Sequence, residues 1–544
     1  MLNEEATGGR HEEPSRNFRA AVLVRALVIL ALGILLRLPT FGRPLLSDDE
    51  AIYATTADAM ARGDLLYRDV VDHKPPLVYH VYEAGFRLLG RYNVHGAHAF
   101  VVLSVLVTAA LLQAMLRRER GLAAAALFLI FSTTWHDYDA LAANCELFLL
   151  APQTAAAWLL LRALTRPSRD ARAFVVHLAV GALVGTSALF KYQGLTFLGV
   201  SVGLSLWWAS LGRVTWRRAS AMAMCQVVGA AFPIAIYLLG CVVAGNAAAT
   251  VYWFKFNFSY VGAGLTGLAA ATRALQRTGM IGGVALVAYG LGLAGAVTTA
   301  TGLARVLRRR WRREALLASE EPEPAAVLGL AWLLTSALAV SAGGRYFGHY
   351  FHLVLAPLCL LAAPRFHRIW TRGWSRRAPL LALCALPALV FFFLATAGRS
   401  LAASLDEGEP RYDEVAARIA ALTTPDERVF VWGNSPQLYI LARRPMGTRF
   451  SFCNYMTGES PGTPTETGRS NADANQLPAS WDMLLADLET RQPALLVDAA
   501  AAGWDGYDKF PIARYPRLRA YVDSHYGVAE VRAGVVLYRR LRTR

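Results

Sequence analysis

Apolar residues in this chain are gathered into long runs separated by short polar connections. Such runs appear near 20–38, 97–116, 121–134, 146–163, 173–190, 193–211, 221–242, 279–303, 325–341, 350–364 and 378–397. A helix crosses a bilayer in roughly 20 mainly apolar residues, so about eleven spans are expected, the run at 121–134 being short for a full crossing. Two other segments, 39–96 and 398–544, are too long to be mere connections. The first holds DEAIYATTADAMARGDLLY and KPPLVYHVYEAGFRLLG, whose apolar residues recur at helical spacing and predict two helices lying in the membrane interface. In the second, YDEVAARIAAL and SPQLYILA read as helices and RVFVWG, ALLVDAA and VVLYRRL as strands, with the polar stretch 454–480 as a loop. That alternation predicts a small α/β domain.

Composition points the same way. Of 544 residues, 55% are hydrophobic and only 17% charged, against roughly 25% charged in a soluble protein. Disordered, coiled-coil, collagen-like and disulfide-scaffold classes are excluded, and a polytopic α-helical membrane protein remains. The net charge of +16 is not gathered into a stripe with interleaved aromatics, so nucleic acid is not an expected partner. Instead, arginines cluster in alternate connections, at 117–120, 162–172, 213–218, 305–313 and 365–377. The positive-inside rule then assigns those connections and the tail 1–19 to the cytoplasm. No small-residue cleavage site follows Leu38, so the first span is read as uncleaved. The expected organisation is a membrane domain over 20–397, with an extracytoplasmic loop at 39–96, followed by an extracytoplasmic domain over 398–544. Six cysteines without a CxxC pair imply neither a metal knot nor a redox role. Only four of the 55 basic residues are lysines: Lys74, Lys191, Lys255 and Lys509.

Ionisable groups beside a membrane are costly and tend to be functional. The topology places Asp48, Asp49, Glu50, Lys74, Asp137, Asp139, Glu146, Lys191 and Arg345 at the outer mouth. Ser47-Asp48-Asp49-Glu50 has the composition of a helix N-cap, yet three consecutive acids exceed what a cap requires. In Asp72-His73-Lys74-Pro75-Pro76 two prolines stiffen the backbone that presents a lysine. Glu146 is either a helix-start acid or a second site carboxylate, and Lys191 either snorkels to water or meets an anion. Arg345, in GGRYFGHY, has the fork that holds phosphate bidentately, with His349 and Tyr350 close by in the chain. Asp137 and Asp139 are read as loop solvation.

The acidic pair after span one, a helix with Tyr53 and Met60, then Gly63-Asp64 and Lys-Pro-Pro, resemble the polytopic glycosyltransferases of the GT-C superfold. In particular they resemble the bacterial branch related to protein O-mannosyltransferases and lipid A aminoarabinose transferases. The likeness is densest over 37–90 and extends to Asn144-Cys145-Glu146-Leu147-Phe148, Phe190-Lys191-Tyr192 and Gly344-Arg345-Tyr346-Phe347-Gly348-His349-Tyr350. It implies Asp49 as catalytic carboxylate with Glu50 as its second member, Lys74 on the donor phosphate, and Glu146 as a further site acid. His73 stands where the aminoarabinose transferases have an acid, so no obligatory metal is expected, and a divalent ion is neither required nor excluded. The expected reaction is sugar transfer from a polyprenyl-phosphate donor to a hydroxyl on a glycan, lipid or protein acceptor, at the outer face of the plasma (inner) membrane among its lipids. Asp49 is the expected general base; Lys74, Arg345 and Lys191 receive the phosphate; Glu146, His73, His349 and Tyr350 orient the substrates. The rival class is a transporter or flippase of lipid-linked sugars.

Overall fold

The computed structural model describes residues 16–134, 138–166, 172–312, 314, 321–396, 411–460 and 472–541. The membrane part runs through α1 (Arg16–Arg37), α2 (Asp48–Ala61), α3 (Leu77–Leu89), α4 (His95–Met115), α5 (Arg118–Phe131), α6 (Cys145–Thr165), α7 (Arg172–Phe190) and α8 (Thr196–Ser210). It continues through α9 (Trp216–Ala244), α10 (Ala247–Gly262), α11 (Gly267–Val284), α12 (Leu286–Trp311), α13 (Pro324–Ser341), α14 (His352–Trp370) and α15 (Trp374–Thr396). Among the described residues, nine helices are long and apolar enough to cross a membrane: α1, α4, α6, α7, α9, α12, α13, α14 and α15. The expected runs at 121–134 and 193–211 form the shorter helices α5 and α8, of 14 and 15 residues.

Short as it is, α5 connects both faces of the bundle. Arg25 in α1 pairs with Glu119 at the start of α5 at 2.6 Å. Arg37, at the far end of α1, donates to the carbonyl of Ser132 just beyond α5 at 2.8 Å. The two helices therefore run side by side between the same two surfaces. Arg120–Glu323, at 3.0 Å, and Arg213–Glu321 gather other arginine-rich connections on the Glu119 side. Within the bundle α7 meets α9 backbone to backbone. A Cβ on Gly181 would stand 2.0 Å from the Gln226 carbonyl oxygen, and one on Gly229 2.1 Å from that of Leu178. Small residues replace hydrophobic force as the means of association where lipid is already apolar.

The first long loop carries α2 and α3. One face of α3 buries Val78, Tyr79, Tyr82 and Phe86, while Leu88 and Leu89 stay exposed, as an interfacial helix requires. By contrast α2 is buried almost throughout, from Glu50 to Ala59. It is enclosed by protein rather than laid in the interface, because the C-terminal domain sits on it.

That domain contains α16 (Tyr412–Leu422), β1 (Val429–Trp432), α17 (Gln437–Ala442), α18 (Asn454–Thr457), α19 (Ser480–Arg491), β2 (Leu495–Asp498), α20 (Pro516–His525), β3 (Tyr526–Arg532) and β4 (Val535–Arg540). The sheet order is β1-β2-β4-β3, with β1 and β2 parallel and the other pairings antiparallel. The three expected strands are β1, β2 and β4. The fourth, β3, is an edge with Val528 and Val531 exposed, and its glycine and charges hide the strand pattern. Part of the expected loop 454–480 is helical, in α18, and 461–471 lie outside the described residues. The domain docks through Val71 N–H to the Arg449 carbonyl (2.9 Å) and Arg491 to the Asp69 carbonyl (2.8 Å). Asn246 and Trp253 donate to the carbonyls of Leu66 and Tyr67 at 2.9 and 3.2 Å, fixing the same loop from the membrane helices.

Candidate active site

Ser47 caps α2, its Oγ accepting from the Glu50 N–H at 3.3 Å. The three acids of that first turn are spaced about 100° apart around the helix, so they fan in three directions. Asp48 accepts from Gln437 Nε2 of the C-terminal domain at 2.5 Å. Asp49 lines a cavity, with Oδ1 3.0 Å from Lys74 Nζ and Oδ2 accepting from Tyr53 OH, one turn along, at 3.3 Å. Glu50 points the other way. Fully buried, it accepts from Leu46 N–H (2.7 Å) and Ala143 N–H (2.5 Å) and lies 3.0 Å from His98 Nε2. The structure thus does not bring Glu50 to the cavity: its carboxylate ties α2 to the loop that precedes α6.

The backbone around Lys74 is pinned from both sides. Tyr67 OH donates to the Lys74 carbonyl at 2.7 Å, and Asn257 Nδ2 to that of His73 at 2.6 Å. Asp72, buried, accepts from Tyr79 OH and the His73 N–H at 2.7 Å each, and its Oδ2 lies 3.9 Å from Lys74 Nζ. The ammonium therefore sits between two carboxylates, 5.0 Å from the centre of the Tyr53 ring. Burial alone raises the Asp49 carboxyl, but Lys74 and His349 outweigh it and hold the group below the usual carboxylate range. For Lys74, burial lowers the ammonium, and Asp49 and Asp72 more than reverse that.

His349 joins this pair to a second cluster. Its Nδ1 lies 2.7 Å from Asp139 Oδ2, which also accepts the His349 N–H at 3.2 Å; Asn144 Nδ2 donates to the other Asp139 oxygen at 2.7 Å. His349 Nε2 stands 3.8 Å from Asp49 and 3.9 Å from Glu146. Glu146 is ion-paired with Lys191, whose Nζ lies 3.7 Å from the centre of the Tyr350 ring. Asp139, read from the sequence as a solvated loop residue, is instead the partner that orients His349. Burial pushes its carboxyl up, but His349 brings it down to about 2. Asp137 lies outside the described residues. The loop bearing Asp139 is bracketed by Arg37, which donates to the carbonyls of Ser132 and Leu141. Neither Asp139 nor Arg37 carries a local signal beyond being an ionisable residue next to an apolar run.

Arg345 is buried, with Nη2 donating to the Tyr260 carbonyl at 2.9 Å and Nη1 to Ser460 Oγ at 3.0 Å. Its guanidinium lies 3.8 Å from the Tyr260 ring centre, and the His73 ring packs 4.2 Å from the same ring. Arg345 thus reaches the Lys74 segment through an aromatic stack.

One cavity of about 1720 Å³ is lined by Asp49, Lys74, Lys191, Arg345 and His349. Its wall also includes apolar side chains of α9 and α10, among them Ile234, Leu238, Phe254 and Phe258, and Asn454, Tyr455 and Glu459 of the C-terminal domain. Of the four lysines, Lys74, Lys191 and Lys255 line it, and Lys509 pairs with Glu459 at 2.9 Å. Among the described residues no three His, Cys, Asp or Glu side chains are grouped to hold a metal ion.

Glu50→Ala strands two buried N–H groups, so a loss of about 2–4 kcal/mol is expected, read as a lower unfolding midpoint in detergent. Asp49→Asn leaves those bonds intact and keeps Asp72 3.9 Å from Lys74, so a smaller loss than that of Glu50→Ala is expected. Equal stability of Glu50→Ala and the parent would rule out the anchoring role.

No family model matches the chain, and no curated protein does. Solved structures do. ArnT from Cupriavidus metallidurans bound to undecaprenyl phosphate aligns with TM-score 0.62 and 16% identity, over 95% of this chain and 98% of that one. The apo state of the same protein aligns with TM-score 0.59 over 96% and 98%, also at 16% identity. The archaeal oligosaccharyltransferase AglB from Archaeoglobus fulgidus, in complex with an inhibitory peptide and a dolichol-phosphate, aligns with TM-score 0.53 and 13% identity over 97% and 75%. With nine apolar helices long enough to span a membrane among the described residues, a C-terminal domain built on a small sheet, and these neighbours over nearly its whole length, the chain is a multi-pass membrane protein with the GT-C fold.

Proposed function

We propose that the chain is a membrane glycosyltransferase that moves a sugar from a polyprenyl-phosphate carrier to a hydroxyl acceptor, with Asp49 as general base. The observation that carries this reading is the 3.0 Å contact of Asp49 with Lys74 in a cavity that joins charged side chains to an apolar wall. A lipid-linked sugar has the same division, a polar head on a hydrocarbon tail. The volume exceeds the roughly 300–1,000 Å³ of an ordinary small-molecule pocket. The fold neighbours that hold undecaprenyl phosphate and dolichol-phosphate support a donor of that class.

In this scheme the donor phosphate meets Lys74 and Arg345, and Lys191, held by Glu146, adds its charge from the wall. Lys74 then turns from Asp49 toward the phosphate, and the carboxylate becomes a stronger base as its cation leaves. Asp49 takes the proton of the acceptor hydroxyl while that oxygen bonds to the anomeric carbon. The bond from that carbon to the phosphate oxygen breaks, and its electron pair departs on the polyprenyl phosphate. Attack from the face opposite the leaving group inverts the centre. The phosphate leaves without a protonating acid, since preorganised cations stabilise the charge that develops. His349, fixed by Asp139, orients Asp49, with Tyr350 and His73 shaping the walls around the reacting groups.

The arginine-rich connections on the Glu119 side are cytoplasmic by the positive-inside rule. The cavity and the C-terminal domain then face outward across the inner membrane, as a separate domain over 398–544. In intact cells, Asp523→Cys, at an exposed position of that domain, reacts with a membrane-impermeant maleimide, and Arg118→Cys reacts only after permeabilisation. The reverse pattern would overturn the orientation.

With undecaprenyl-phosphate sugars in proteoliposomes, Asp49→Asn is expected to lose about 10²–10⁴-fold in transfer at matched folded protein. Equal transfer would reject Asp49 as base; passage of the intact lipid-linked sugar without bond cleavage would favour a flippase.

The pH dependence has a defined sign. Asp49 works as the carboxylate, so kcat/KM of the free enzyme falls as pH drops through its pKa, which Lys74 depresses. Lys74→Met removes that cation and moves the acid limb to higher pH. An unmoved limb would place the base elsewhere.

A further inference from the structure

The C-terminal domain contributes more to the cavity than a cover. Its α18 ends at Gly458, whose φ of +70° and N–H bond to the Asn454 carbonyl turn the chain out of the helix. A side chain there is blocked, since a Cβ would stand 1.8 Å from the Ala472 carbonyl oxygen. The turn delivers Glu459 and Ser460 to the cavity wall. Its base is rigid: the Glu459 N–H donates to Thr457 Oγ1 at 3.3 Å, and Tyr507 OH is hydrogen-bonded to Asn454 and lies 3.4 Å from Thr457 Oγ1.

Glu459 is only 8% exposed, and its two oxygens are unequal. Oε1 accepts from Lys509 Nζ at 2.9 Å; Oε2 is buried with no hydrogen-bond partner among the described residues. Leaving a carboxylate oxygen so is costly, and such a group is worth keeping where a ligand supplies the missing donor. The next residue, Ser460, accepts from Arg345, the guanidinium assigned above to the donor phosphate. A sugar whose C1 phosphate rests on Arg345 therefore presents its ring hydroxyls to the segment that carries Glu459. Because Lys509 already neutralises the carboxylate, the matching donor is a neutral hydroxyl rather than an ammonium.

We propose that Glu459 is a specificity residue whose Oε2 accepts a hydrogen bond from one hydroxyl of the transferred sugar, so that the C-terminal domain helps to choose the sugar. This rests on the reading of the cavity as a polyprenyl-phosphate-sugar site. No covalent bond is made or broken by Glu459, which acts by holding one hydroxyl of the donor.

The test uses the full chain in proteoliposomes and whichever of undecaprenyl-phosphate glucose, mannose and arabinose the parent uses fastest. That donor is compared with its monodeoxy analogues, each lacking one hydroxyl, on the parent, Glu459→Gln and Glu459→Ala. The parent is expected to lose about tenfold or more in kcat/KM with one particular deoxy donor, since a site built to bond a hydroxyl rejects the analogue without it. Both variants are expected to lose a similar factor with the intact donor and to stop distinguishing it from that analogue. Inhibition by sugar-free undecaprenyl phosphate should stay within about twofold of the parent, which shows that the variants keep a folded phosphate site. If every deoxy donor is scaled equally in parent and variants, the assignment of Glu459 is overturned while the donor reading stands. If undecaprenyl phosphate does not inhibit the parent, the donor reading fails and this assignment falls with it.

Discussion

The 3.0 Å contact between Asp49 and Lys74 is the constraint around which the membrane-side structure is arranged. A largely buried ion that loses its partner carries a desolvation cost that can reach several kcal/mol. Together the two persist only if both backbones are held still. The first loop does this in two ways. The N-terminus of α2 is fastened from behind by Glu50, and the Lys74 segment is held by Tyr67, Asn257 and the buried Asp72. Three neighbouring acids thus divide the work: one binds the C-terminal domain, one faces the cavity, one anchors the helix.

The same logic links the site to elements far away in the chain. Asp48 meets Gln437, Arg345 meets Ser460, and His349 meets Asp139. Each contact joins a side chain of the membrane part to a separate loop or to the C-terminal domain, so the cavity is a joint product of both parts. Polar networks of this kind are rigid when satisfied and expensive when broken, which favours one geometry for the charged end.

Much of this was legible in the chain because it is written locally. Apolar run length marks the spans, and Asp49 and Lys74 stand in short motifs whose spacing survives any detail of packing. Lys191, Glu146 and Arg345 were recognisable as ionisable residues brought to one surface by topology, and His349 by its place beside Arg345 in the chain. What was not legible depends on rotation and on distant partners. The inward turn of Glu50 follows from its angle on α2 and from the Ala143 N–H, neither of which has a sequence pattern. Asp139 gains its role only through His349, some 210 positions away. The β3 edge lacks alternation because one side of an edge strand remains in water. The helical turn of α18 is too short to show a period.

One compositional fact acquires a meaning from the fold. Lysine has nearly vanished from this chain, and the four survivors stand on the wall of a single chamber or against a residue that forms it. Arginine, by contrast, is distributed along the whole chain, with Arg345 on the same wall. Side-chain primary amines are therefore confined to one neighbourhood, and acylating reagents, which spare guanidinium groups, address that neighbourhood selectively. Occupancy of the chamber is in this way open to readout by acylation of lysine side chains, told apart from any α-amino group by peptide mapping.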